Sequence, residues 1–315
     1  MRRSLYALAA IATAAAVGTA YSQTGHTQYG TWGFDLAAMD KTVKPGDDYF
    51  MFVNGNWYKT AVIPPDRAST GSFQDLRILS EKRMNEIAAS LDAKPYDKLS
   101  DEEKKLRDLY DAFMDRKQID AAGLAPARAD LDFIANLKTP EDVAAAMGMP
   151  RLNLDGPFGG GVGINDKDPN KYAIDLAQSG LGMPDRSYYI KTDAEIVATQ
   201  VAYKKHLAAV FTLAGLSDPD KRAAAVYDLE HKMADAEWAR EDSRDEDKTY
   251  NPMSFTELKA LAPQFSWEAY FNAGGIPLTD AKGERQVIVG QKSAFPKLAQ
   301  IFADTPVSVW RDYLT

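Results

Sequence analysis

Pro45–Trp57 reads PGDDYFMFVNGNW and runs on towards Val62-Ile63-Pro64. It sets two acids, Asp47 and Asp48, beside four aromatics, Tyr49, Phe50, Phe52 and Trp57, with Gly55 between the last two. A stretch this apolar exceeds what a surface loop carries, while its asparagines and glycine interrupt a regular helix. The expectation is an irregular segment buried against something large. Asp47 and Asp48 stand where short polar side chains satisfy free backbone amides, so they read as structural rather than as a glycosidase-type carboxylate pair.

Working outward, the chain is helical in most places. After the Pro64-Pro65 break, Phe73, Leu76, Leu79, Met84 and Ile87 recur at helical spacing. Ser100–Glu103 is a capping box ahead of Leu106, Leu109, Tyr110 and Phe113 on one helix face. Thr139-Pro140-Glu141-Asp142 starts another helix, the last of two expected between Ala121 and Met147. The pattern then changes. Phe158–Ile164 and Tyr172–Leu176 around a polar turn read as a β-hairpin.

Leu181–Tyr189, LGMPDRSYY, is a proline-marked turn before a long helix over Ala194–Leu213. A second long helix is predicted from Pro219 to Trp238, with Ser217 as its cap. Arg240–Lys248 is a mixed-charge link, and Ser254–Glu257 is a further capping box. A short helix from Ser266, a strand over Gln286–Val289, and closing helices at Pro296–Phe302 and Val307–Leu314 complete the reading. The fold class is mainly α with minor β.

Composition bounds the setting. The chain has 315 residues, 45% hydrophobic and 26% charged, as an ordinary globular protein has. Arg2 and Arg3 followed by the alanine-rich run Leu5–Ala20 read as a secretory signal peptide over 1–22, too short for a bilayer span. A flexible spacer is expected at 23–32, the opening aromatic segment at 33–72, and one mainly helical domain at 73–315 with its hairpin near 158–176. The expected location is periplasmic or extracellular, with no membrane attachment after signal cleavage. Cysteine is absent, so an exported chain rests on its core alone. The net charge of −8 becomes −10 once the two arginines leave, and it speaks against a nucleic-acid partner.

The chemistry-bearing patterns are few. The histidines are His26, His206 and His231, and none has a second histidine at i+4, so no zinc-binding helix motif is present. Gly159–Gly163 lacks the Gly-Lys-Ser/Thr ending of a phosphate loop and reads as a glycine-rich edge strand. Asp166–Asn170 imitates a calcium loop but has Ala177 where the twelfth-position acid belongs. There is no Gly-x-Ser-x-Gly elbow. No catalytic residue and no metal ligand is assigned from the residues alone.

Pro45–Trp57, Val62-Ile63-Pro64 with Gly71-Ser72-Phe73 and Leu76-Arg77, Leu181–Tyr189, and Tyr250–Ser254 resemble, in this order, blocks of the neprilysin family of zinc metallopeptidases, which includes the bacterial oligopeptidase O type. The likeness runs from about Gly33 to Leu314 and covers the N-terminal region of that family only. It implies a helical lid lobe of a two-lobed gluzincin-type metallopeptidase, with the zinc-bearing C-terminal catalytic lobe missing. Peptides are the implied substrates, and zinc is the cofactor of the intact enzyme, not of this chain. The resemblance makes Phe73 an aromatic lining the pocket after the scissile bond and Arg77 a basic residue at the active-site edge. The residues alone equally allow Phe73 as core and Arg77 as a surface ion pair. Ser69 stands where some relatives place another arginine. The chain by itself is expected to be inactive, as a fragment, a truncated product or half of a split enzyme. The alternative is a non-catalytic secreted binding module.

Overall fold

The computed structural model describes residues 35–64, 67, 69–280 and 283–315. The expected signal peptide and spacer lie outside them. The fold is mostly helical with a small mixed sheet. Packing divides the chain into two compact units, with the boundary between Arg116 and Lys117.

The first unit is helical. α1 spans Tyr49–Thr60, α2 Ser72–Asp92 and α3 Asp101–Met114. α1 corrects the sequence reading, because the opening segment is a regular helix. Asp48 starts it by accepting the Met51 amide at 2.9 Å. Gly55 is there for close approach: a Cβ would stand 2.6 Å from the Asp40 Cβ. The Lys59 ammonium, 2.6 Å away, and Thr42 hold the Asp40 carboxyl down at about 2. Nor is the segment enclosed among the described residues, since Tyr49, Phe50 and Tyr58 are all exposed.

The Ser100–Glu103 capping box forms as read, with Glu103 N donating to Ser100 Oγ at 3.2 Å and Ser100 N to Glu103 Oε2 at 2.9 Å. Arg107 ties α3 to the end of α2, donating to Lys94 O at 2.9 Å and to Asp92 at 3.1 Å. Between these two helices runs a groove of ≈ 410 Å³ lined by Met84, Ile87, Leu106, Leu109 and Phe113.

The second unit carries the sheet. It starts one residue into α4, Arg116–Ala122, and continues with α5, Arg128–Ala135, and α6, Pro140–Gly148. β1, Phe158–Asn165, pairs antiparallel with β2, Asp168–Gln178, through a tight turn in which Asn165 Oδ1 accepts the Lys167 amide at 2.9 Å. Two long helices follow, α7 at Ala194–Leu213 and α8 at Pro219–Ala236. Then come β3 at Asn251–Ser254, α9 at Phe255–Leu261, α10 at Trp267–Ala273, β4 at Gln286–Val289, α11 at Phe295–Asp304 and α12 at Val307–Leu314. The sheet order is β1-β2-β4-β3, with β4 parallel to β2 and antiparallel to β3. The glycine-rich β1 is therefore an edge strand, as its composition implies.

α8 is not capped by Ser217. Its cap position is Asp218, held at φ 54 with no side-chain cap bond, and Pro219 opens the helix at its first position. Ser217 contributes its carbonyl instead, accepting Arg222 Nε at 2.7 Å.

The core of this unit is aromatic. Trp267, Phe271, Phe295, Phe302 and Trp310 are almost wholly buried, and the indole N–H groups of Trp267 and Trp310 donate to Ala262 O and Phe302 O. α6 meets α10 closely, where a Cβ on Gly148 would lie 2.1 Å from the Tyr270 carbonyl oxygen. Gly148→Ala is therefore expected to lower stability by about 2–3 kcal/mol through forced separation of these helices. Phe73→Ala, at a position 91% exposed, is expected to change it by less than about 0.5 kcal/mol. Chemical denaturation of both variants checks the pair, and equal losses would contradict it.

Candidate functional site

Phe73 and Arg77 lie in the first two turns of α2, four residues apart and so on one face. Phe73 is almost fully exposed, which rules out a place in the core of the described chain. Arg77 is exposed, and among the described residues it has no ion-pair partner. Arg67, out of register with the expected arginine position at Ser69, is occupied elsewhere: its guanidinium takes both carboxylate oxygens of Glu81.

An exposed ring next to an unpaired guanidinium can do a specific thing. The ring offers flat apolar area, and the guanidinium offers a two-pronged donor to a carboxylate or carbonyl. α2 presents them because Gly71, at φ 141, breaks the preceding chain and Asp75 favours the helix N-terminus.

The described residues contain no group of three or more His, Cys, Asp or Glu side chains placed to hold a metal ion. His206 lies exposed on α7, while His231 on α8 faces Asp235 at 3.3 Å, an ordinary i,i+4 pair. No described helix is long and apolar enough to cross a membrane.

The sequence reading missed a polar centre in the second unit. Glu230 of α8 is 3% exposed, and it accepts the hydroxyls of Tyr189 at 3.0 Å and Tyr203 at 2.9 Å. Burial pushes its carboxyl up to about 7, against the pull of these donors and of the Gly182 amide. The Met183 amide donates to Tyr189 Oη at 2.9 Å, so the LGMPDRSYY turn ends on this carboxylate. Gly182 is required there, since a Cβ would lie 1.9 Å from Tyr203 Oη. The available signal was the glycine and paired tyrosines of the turn, but nothing local named a carboxylate 41 residues downstream as their partner.

With the geometry in place, comparisons with known proteins converge. The sequence profile of peptidase family M13 matches residues 45–315. Endothelin-converting enzyme 1 of Rattus norvegicus is 25% identical over 291 residues, a match covering 89% of this chain and 37% of that enzyme. Neprilysin-3 of Drosophila melanogaster is 28% identical over 251 residues, covering 75% of this chain and 31% of the relative. Among solved structures, the Mycobacterium tuberculosis zinc metalloprotease Zmp1 in complex with inhibitor superposes with a TM-score of 0.74 at 30% identity, over 90% of this chain and 43% of its own. PepO from Lactobacillus rhamnosis shares the fold, with a TM-score of 0.62 at 20% identity. The chain thus spans well under half the length of the relatives it matches. The match over residues 45–315 and the common fold make it a member of peptidase family M13, a family of zinc metallopeptidases.

Proposed function

We propose that this chain is the N-terminal region of an exported zinc metalloendopeptidase that acts on short peptides, and that it shapes the substrate chamber without supplying the metal. The observation that carries the reading is the pair Phe73 and Arg77, a bare ring and an unpaired guanidinium side by side on α2. Family membership and partial coverage of the relatives support it. The zinc ligands would belong to a region outside this sequence, and no chemical step is assigned to the residues present. The exposed apolar side chains of α1, α2 and α3 would pack against that region, or line the chamber with it.

The domain arrangement belongs to the same proposal: a signal peptide over 1–22 removed on export to the periplasm or exterior, a spacer at 23–32, an opening segment at 33–72 that contacts the catalytic lobe, and the helical domain at 73–315. Phe73 would contact the side chain following the scissile bond, and Arg77 would bind substrate carbonyl or carboxylate oxygen. Ser69, lacking a guanidinium, would leave free peptide C-termini poorly held.

Two outcomes test this. Purified 1–315 is expected to show no chelator-sensitive cleavage of an internally quenched short peptide, and such cleavage would contradict the division of labour. In the longer protein that includes the zinc-bearing region, Phe73→Ala or Arg77→Ala is expected to lower kcat/KM about tenfold, or about 1.4 kcal/mol, chiefly through KM. Unchanged kinetics would exclude both residues from substrate contact. A longer protein with no peptidase activity but peptide binding intact would favour the non-catalytic module.

A further inference from the structure

The Leu181–Tyr189 turn is held between α7 and α8 by side chains that converge on α8. Glu230 takes the hydroxyls of Tyr189 and Tyr203, and through Tyr189 it holds the Met183 amide. Seven residues on, and so on the same helix face, Glu237 follows the last turn of α8. Its Oε1 is shut from solvent and has no hydrogen-bond partner. Arg186 pulls on it as an opposing charge, but its Nε is bonded to Ala234 O at 2.9 Å, and Asp185 beside it repels the carboxylate. Among the described residues neither glutamate forms an ion pair.

The groups facing these carboxylates can be named from every side. The turn supplies Asp185, Arg186 and Tyr189. α7 supplies Tyr203, with Lys204 over the Tyr227 ring at 3.9 Å. α8 itself supplies Tyr227 and His231, and α12 supplies Tyr313. Asp155 and Asp312 line the cavity that holds Glu230, and Arg240 lines the one that holds Glu237. The turn lines both cavities, of ≈ 300 and ≈ 400 Å³, and Leu181 is common to the two.

We propose that Glu230 and Glu237 form a proton-operated latch, which keeps the Leu181–Tyr189 turn shut on α8 while both are neutral and loosens it as both take charge. Loosening would join the two cavities into one opening beside the sheet. The direction follows from linkage. Burial lifts both carboxyls from an ordinary 4.5 to about 7 in the shut turn, whereas an open turn returns them to water. Across that interval the shut state binds more protons than the open one, so rising pH favours opening. The donors on Glu230 reduce this effect without cancelling it, and Glu237 Oε1 has none to reduce it. The latch is independent of the peptidase reading, because every group in it belongs to this chain.

Amide hydrogen exchange on the full chain from pH 5 to pH 8, with each rate divided by its intrinsic value, tests it. Protection at Gly182, Met183 and Ser187–Tyr189 is expected to fall by about tenfold or more over that range while β4 stays unchanged. In the double variant Glu230→Gln, Glu237→Gln the same amides are expected to lose this pH dependence. Constant protection in the parent chain, or a fall that survives in the double variant, would overturn the latch. Should the double variant fail to fold, carbon-13 titration of the glutamate carboxyls in the parent chain decides the matter. Midpoints near 7 that coincide with the fall in protection uphold the latch, and midpoints near 4.5, or a fall at another pH, sink it.

Discussion

Phe158 is the contact on which the second unit depends. It leaves the first position of β1 and is met by three rings, Phe265 at 4.9 Å, Trp267 at 4.7 Å and Phe295 at 4.8 Å. Tilted and edge-on rings of this kind bury large apolar area with favourable quadrupole geometry. They join an edge strand to α10 and α11, and through Phe302 and Trp310 the packing reaches α12. The sheet, the helices around it and the turn leading to α7 are all arranged about this cluster. Nothing comparable exists in residues 35–116, where the buried apolar side chains among the described residues are Leu91 and Leu99.

That asymmetry connects packing to function. The first unit consists of helices with sound local chemistry, a capping box at Ser100 and a helix-end staple at Arg107, but with their large side chains facing outward. Helices of this length gain most of their stability from burying an apolar face, so such faces are made to be covered. The relatives are more than twice as long as the stretch they share with this chain. The same outward-facing helix α2 carries Phe73 and Arg77, so the surface proposed for substrate and the surface left uncovered belong to one unit.

Much of the fold was legible because much of it is local. The capping boxes at Ser100 and Ser254, the helix start at Thr139, the hairpin, the Gln286–Val289 strand and the closing helices each follow from a few adjacent residues, and each forms as read. The misreadings have physical causes. Gly55 looked like an interruption of α1, whereas it admits Asp40 from outside the helix, a contact that spacing cannot reveal. Ser217 looked like a cap, but with Pro219 as the first helical residue the cap position falls to Asp218. β3 went unread because a four-residue strand containing Pro252 has no alternation to show and is fixed only by pairing with β4. Phe73 and Arg77 came from likeness to a family, and their exposure could not have been deduced from helical periodicity. Glu230 stayed hidden because its partners are distant in sequence.

The second unit holds a core of its own, while the described residues of the first bury only Leu91 and Leu99 among their large apolar side chains. Amide exchange at neutral pH, compared between helices of the two units in the same purified chain, tests this most directly. Amides of α2 and α3 are expected to exchange at least about a hundredfold faster than those of α8, α11 and β4, since few buried contacts oppose their opening. Equal protection in α2 and in β4 would contradict it, because the first unit would then be as self-sufficient as the second.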